Sequence, residues 1–368
     1  MLAIPVAVLT RARRAADEFH RLTGVAVDAA ELLAGRAALL GLAPPGRISA
    51  GGATRLMRSS DGWCALTLSR QDDIDAVPAL LEADAIDDPW QAVPQWVADT
   101  SSADVAARAR LLGLPVAALG ETPAAPPLIT TMGAAATRRN PSELLVADLS
   151  SMWAGPLCGQ LLSQAGATVV KVETRMRPDG TRARSSAFFD WMNNGKLSYV
   201  VDFDEPTQLQ QLLQAADVVI ESSRPAALVQ RGFGPTGIAG RDGRVWVRIT
   251  GHGAYGERAN WVAFGDDAAV SGGLVGGTDR DPVFCGDAIA DPLTGLHAAL
   301  EVTRSLGRGG GELIELSMAA VAATYAPDHR TTETACSATP AVPHPGRQLG
   351  ADNAVVERLL AERRLASC

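Results

Sequence analysis

Short apolar runs alternate with helix-spaced segments through the second half of the chain. Leu144–Leu149 is almost continuously apolar, as expected of a strand buried on both faces of a parallel sheet. Ser150 and Ser151 are candidate caps for the helix that Gly155-Pro156 opens. Its apolar positions, Leu157, Leu161, Leu162 and Ala165, share one helical face, and Gly166 ends it. Ala167–Val172 reads as the next strand. The alternation continues with strands predicted over Tyr199–Phe203, Val218–Glu221 and Val245–Ile249. Helices are predicted over Thr207–Ala215, Asp266–Gly272 and Asp291–Arg304. Residues 143–330 therefore predict an α/β domain with a Rossmann-like, doubly wound, mostly parallel sheet. Ligands of such sheets lie at the carboxyl ends of the strands, near helix N-termini. The first turn lacks G-x-G-x-x-G, so a nucleotide would have to be held in another way.

The first half reads differently. Residues 1–48 predict a helical segment, with helical spacing over Ala15–Leu22 and Asp28–Leu40 and a stop at Pro44-Pro45-Gly46. Residues 49–119 predict a small α+β domain of strand, helix, helix, strand. In its strand Trp63–Leu68, Trp63, Ala65 and Thr67 share one face and Cys64, Leu66 and Leu68 the other. Asp72–Glu82 and Ser102–Leu112 are its helices, and Asp84, Asp87 and Asp88 read as a solvated loop. Residues 120–142, rich in Pro, Ala, Gly and Thr, predict an exposed linker. Residues 331–368 form a tail, loose at first and then helical over Asn353–Arg364.

Composition narrows the function classes. A net charge of −8 argues against a nucleic-acid partner. The five cysteines are scattered with no C-x-x-C, which predicts reduced thiols and no metal site. No apolar run reaches the roughly 18 residues of a membrane span. No targeting signal is visible, so the cytoplasm is the expected location.

Several stretches could carry chemistry. From Lys171 to Lys196, six basic residues face three acidic ones, a candidate phosphate-binding rim that includes Arg175 and Lys196. Ser222-Ser223-Arg224 follows a buried-type strand, and Arg231 lies close behind. Asp291 precedes Pro292 at the start of a helix, where it could simply cap, or act as a nucleophile towards an activated acyl group. Asp266 and Asp267 sit at another helix start. His252 lies in a Gly-rich turn. No Ser/His/Asp order, H-E-x-x-H or P-loop is present.

Taken together, these motifs resemble CoA-transferase family III, the CaiB/BaiF group, whose superfamily also contains α-methylacyl-CoA racemases. The resemblance runs in order through Leu144–Glu173, Asn193–Lys196, ADVVIESSRP, Ile249–Gly253, AIADPLTGLHAA and ELIELSM. It implies that Asp291, in Ala290-Asp291-Pro292-Leu293-Thr294-Gly295, is the nucleophile of CoA transfer between an acyl-CoA and a carboxylic acid. The route would pass through an aspartyl anhydride and an aspartyl-CoA thioester. Coenzyme A is then a substrate, with no permanently bound cofactor. It would be received by Met152, Trp153 and Ala154, with Arg175, Lys196, Ser222, Ser223, Arg224 and Arg231 as candidates for the rest. Gly272–Gly277 is a candidate cover for the site. Two alternatives accompany this expectation: a racemase using Asp266 with His252 as partner, and a non-catalytic CoA-binding member. The family also implies a homodimer, which in family members is interlocked. Residues 49–119 resemble the family's small domain, which normally follows the nucleotide-binding half. Here it comes first, so the chain looks rearranged.

Overall fold

The computed structural model describes residues 2–43, 46–137, 139–202, 205–326 and 333–366. The predicted stop at Pro44-Pro45, the end of the strand at Phe203, the start of the tail at 331–332 and Cys368 lie outside them. In chain order, β1 (Leu2–Pro5), α1 (Val6–Thr23) and α2 (Ala29–Leu40) come first. A small antiparallel unit follows: β2 (Thr54–Arg58), β3 (Trp63–Thr67), α3 (Gln71–Asp75), α4 (Val77–Leu81), α5 (Pro89–Asp99), α6 (Ser102–Leu111) and β4 (Val116–Ala118). After β5 (Leu128–Thr131), the large unit opens with β6 (Leu145–Asp148), α7 (Ala154–Gln164), β7 (Thr168–Glu173), α8 (Thr181–Arg184), α9 (Ser186–Asn193) and β8 (Leu197–Val200). It continues with α10 (Thr207–Ala215), β9 (Val218–Glu221), α11 (Pro225–Val229), β10 (Val245–Thr250) and α12 (Gly265–Ser271). The ribbon β11 (Val275–Gly277) and β12 (Pro282–Phe284), then α13 (Ala290–Arg308), β13 (Glu312–Ser317), α14 (Met318–Tyr325), β14 (Glu333–Cys336) and α15 (Asn353–Ala366) complete the chain.

The main sheet has seven strands in the order β5-β13-β10-β9-β6-β7-β8. Six are parallel and β5 is antiparallel. Counting the parallel strands from β6, this is the 3-2-1-4-5-6 order of a doubly wound sheet, and its switch point lies between β6 and β9. Strand residues alternate between two cores. Val146, Val169, Ile220 and Val247 face one, packed by α7 and α13, while Leu145, Ala147, Val170, Val219 and Trp246 face the other. This two-sided burial is why the strands read as near-continuous apolar runs.

Residues 1–48 carry the expected helices, α1 and α2, and they also join the main body. Leu2, Ile4, Val8, Phe19 and Leu33 enter the same core as Val146 and Leu293, and β1 pairs with β14. Residues 120–142 are largely exposed, as expected, but are more than a linker, because Leu128–Thr131 is the antiparallel edge strand on β13. Its four side chains are all exposed, so no burial pattern announces it. The small unit has three strands and four helices. The expected helix Asp72–Glu82 divides at Ala76, and α5 begins where a loop alone was expected. Asp88 caps α5 by accepting the Trp90 N–H at 2.8 Å. The predicted facing of β3 holds: Trp63 and Ala65 pack on Val270, Val275 and Phe284, and Cys64 and Leu66 pack on the helices of their own unit. No helix among the described residues is long and apolar enough to cross a membrane.

Candidate active site

The carboxyl end of β6 leads into a turn whose shape is set by buried charges. Lys171 donates to the Ser150 carbonyl at 2.5 Å and to Asp179 Oδ2 at 2.8 Å. Asp179 also accepts the Met152 N–H at 3.1 Å. Burial opposes ionisation of Asp179, but Lys171 and Thr181 outweigh it and hold its pKa down to about 2. The turn is thereby clamped with Met152 at φ +74°, an uncommon region for a residue with a Cβ. Trp153 follows, 3% exposed, meeting Phe188 edge-on at 5.1 Å between centroids.

This turn forms one wall of a cavity of about 840 Å³. Met152, Trp153, Ala154 and Ser222 line it from the switch point of the sheet. Asp266, Ala288 and Asp291 line it from the starts of α12 and α13. Ser49, Thr67 and Arg70 line it from the small unit, and Arg36 from α2. The volume suits a ligand of drug or cofactor size.

Asp291 stands in the first turn of α13, half-buried and open to this cavity. Burial raises its pKa to about 7, opposed by Arg36 and reinforced by Asp266 and Asp287. The nearby Gly265 backbone N–H also acts to lower it. A Cβ at Gly265 would collide with Asp291 Oδ2 and the Ala288 carbonyl, so the close approach requires glycine. Asp266 accepts the Ala288 N–H at 2.9 Å. Burial, then Asp287, raises its pKa to about 6. Asp267 does not line the cavity; it accepts from Thr67 Oγ1 at 2.8 Å, and burial raises its pKa to about 8.

Other expected site residues lie elsewhere. Lys196 is 1% exposed, and its ammonium protons are spent on Asp148 Oδ2 at 2.9 Å, Pro156 O at 2.8 Å and Asn193 Oδ1 at 3.1 Å. It braces the turn from beneath and does not reach the cavity. Arg175, Arg224 and Arg231 are exposed and outside the cavity wall, and Ser223 is half-buried beside them. Much of the basic stretch is likewise occupied: Arg182 is bound to Glu173, and Arg184 alone among its arginines lines the cavity. His252 is 4% exposed, edge-on to Trp261 at 5.4 Å, and not among the residues that line the cavity. Burial, with Arg110 and Arg258 nearby, lowers its pKa to about 3. Gly272–Gly277 is no loose cover, since Leu274 is fully buried and β11 pairs with β12.

Arg36, Asp287 and the small unit's share of the cavity were not foreseen. Asp287 precedes Asp291 by only four residues, and its acidity was a usable signal. Arg36 gave none, standing in an Ala/Leu-rich helix with no motif around it.

Residues 142–356 match the family model described as CoA-transferase family III. The chain belongs to that family. It is 29% identical over 203 residues to a succinate–glutarate CoA-transferase of Agrobacterium fabrum, covering 48% of this chain and 50% of that protein. It is 29% identical over 194 residues to a succinyl-CoA–D-citramalate CoA-transferase of Chloroflexus aurantiacus, covering 48% of each chain. A formyl-CoA:oxalate CoA-transferase of Rhodopseudomonas palustris is 31% identical over 175 residues, covering 44% of this chain and 41% of that one. A solved CaiB/BaiF family protein from Brucella suis is 27% identical, with a TM-score of 0.46 over 51% of this chain and 55% of that chain. The chain spans about half the length of the curated relatives it matches.

Proposed function

We propose that the chain transfers CoA between an acyl-CoA and a carboxylic acid, with Asp291 as the nucleophile. The observation that carries this is the placement of Asp291: a helix-start carboxylate opening into the cavity that the first βα turn also lines. An Asp291 oxygen attacks the thioester carbonyl, the C–S bond breaks, and a mixed anhydride and CoA thiolate result. The thiolate then attacks the aspartyl carbonyl of the anhydride, releasing the donor acid and leaving an aspartyl-CoA thioester. The acceptor carboxylate attacks that thioester, expelling the thiolate and forming a second anhydride. Attack of the thiolate on the acyl carbonyl yields the new acyl-CoA and restores the Asp291 carboxylate. No water enters, and each step exchanges one acyl bond for another. A carboxylate with a pKa near 7 is a stronger nucleophile than an ordinary aspartate while remaining substantially ionised at neutral pH.

Asp291→Asn should abolish transfer while CoA still binds. Hydroxylamine added during turnover should leave a hydroxamate on Asp291, read by peptide mass. Full turnover in Asp291→Asn would sink this reading. Binding of CoA with no transfer across a panel of acids would favour a non-catalytic family member.

A second reading, proton exchange at the α-carbon of an acyl-CoA, has one observation in its favour. Asp266 lines the same cavity as Asp291, so two carboxylates of raised pKa face one space. His252 does not line that cavity. Deuterium uptake at the α-carbon in D2O, without an acceptor acid, would select this reading.

A further inference from the structure

We propose that Arg36 is the positioning residue that holds Asp291 in its ionised, attacking form, so that the site is complete only with α2 docked. The inference rests on reading Asp291 as the nucleophile. It adds a residue from outside the stretch that matches the family.

The geometry fixes Arg36 in place. Its Nη1 donates to Asp287 Oδ1 at 2.5 Å, and the Asp287 side chain is fully buried. Its guanidinium lies 5.5 Å from the ring centroids of both Trp153 and Phe188. Its Nη2 lies 3.5 Å from where a Cβ on Gly51 would stand, and Gly51 lines the same cavity. An ion pair on one side and two aromatic rings beside it leave the guanidinium little freedom to swing away. It is therefore a fixed positive charge in the cavity wall that holds Asp266 and Asp291.

That charge is needed because three carboxylates, Asp266, Asp287 and Asp291, share one low-dielectric region. Like charges so placed cannot all ionise without a counter-charge. Arg36 opposes the raised pKa of each of the three. The other cavity-lining arginines are engaged elsewhere: Arg70 with Asp73 and Arg184 with the Ser69 carbonyl. Among the described residues, the remaining elements against α13 bring no rival cation to its N-terminus. On α1, Glu18 meets Arg304 towards the far end, and Arg11 reaches the Thr324 carbonyl. On α7, Cys158 lies by Asp148 and Lys196. Tyr325 of α14 bonds His297 at 2.8 Å, Arg248 of β10 pairs with Glu221 and with Glu315 of β13, and Glu312 of β13 pairs with Arg308. On α12, Asp267 is the further neighbour and adds only negative charge when ionised.

The test follows the protonation of Asp291 directly in the full-length chain. Isotope-edited infrared difference spectra, each variant against the same variant carrying Asp291→Asn, isolate its carboxyl band from pH 4 to 10. In Arg36→Gln the protonated band should persist to a pH higher by about one unit or more. Arg36→Lys, which keeps the charge without the fork, should recover most of the wild-type titration. If Arg36→Gln does not fold, Arg36→Met fills the niche against Trp153 and Phe188 without charge and carries the same expectation. An unshifted Asp291 band in a folded, uncharged variant would overturn the proposal, and so would a shift that Arg36→Lys fails to reverse. Turnover by Asp291→Asn sinks the nucleophile reading and leaves the titration result standing, so the two failures are distinguishable.

Discussion

At the residue scale, the site depends on how closely Gly265 approaches Asp291. The contact aims the carboxylate, and no side chain fits between them. On the proposed reading of Asp291 as the nucleophile, Gly265→Ala is expected to lower kcat by about a hundredfold, the usual consequence of displacing a reacting group by about 1 Å. A Tm measured in parallel separates misplacement from unfolding. Gly180→Ala provides the comparison, since it lines the same cavity, has φ −60°, and its added Cβ would meet only Met152 Sδ at 3.9 Å. That variant should keep kcat within a few-fold. The helix-start position of Asp291 was legible in the sequence, and the family motif singled it out from Asp266. Arginines 175, 224 and 231 were read as candidates from their charge, their place after strands and the resemblance; they stand outside the cavity wall, and none of those signals says which way a side chain faces. Lys196 also misled. A lysine next to a strand suggests a phosphate ligand, but three acceptors around a buried ammonium are visible only in three dimensions.

At the element scale, the first βα unit is held from below by two buried ion pairs, Lys196–Asp148 and Lys171–Asp179. Removing one partner of such a pair strands the other charge without water. Lys196→Met is therefore expected to cost about 3–5 kcal/mol in denaturant unfolding. Lys196→Met combined with Asp148→Leu should recover part of that loss, because no charge is then left unpaired. An unchanged denaturation midpoint for the single variant would show that the pair is not what braces the turn. The elements of this unit were legible where burial on both faces of the sheet makes a continuous apolar run. The α10 and β9 boundaries, Thr207–Ala215 and Val218–Glu221, match the sequence reading residue for residue. Strand β5 was not legible, because an edge strand with four exposed side chains carries its only signal in its register with β13.

At the scale of the whole molecule, the joint between the small sheet and the main body runs through Asp267. Thr67 of β3 donates to Asp267 Oδ1 at 2.8 Å, and Thr54 of β2 shares a hydroxyl contact with Thr67 at 2.9 Å. The Asp267 carboxyl is fully buried, and burial raises its pKa to about 8. The sign of its effect on stability follows. The unfolded chain loses this proton near the ordinary carboxylate value, 3.8, whereas the folded chain keeps it to about 8. Between those limits the folded state binds more protons, so stability falls as pH rises. Above about pH 8 the folded carboxyl ionises too and the slope flattens. Asp267→Asn preserves the shape and removes the proton. Its Tm should lose this part of the decline between pH 4 and 8, and it should gain on the wild type as pH rises, by at most roughly 1.4 kcal/mol per unit. Parallel Tm profiles for the two proteins would mean that the joint between the two units is not proton-linked at Asp267.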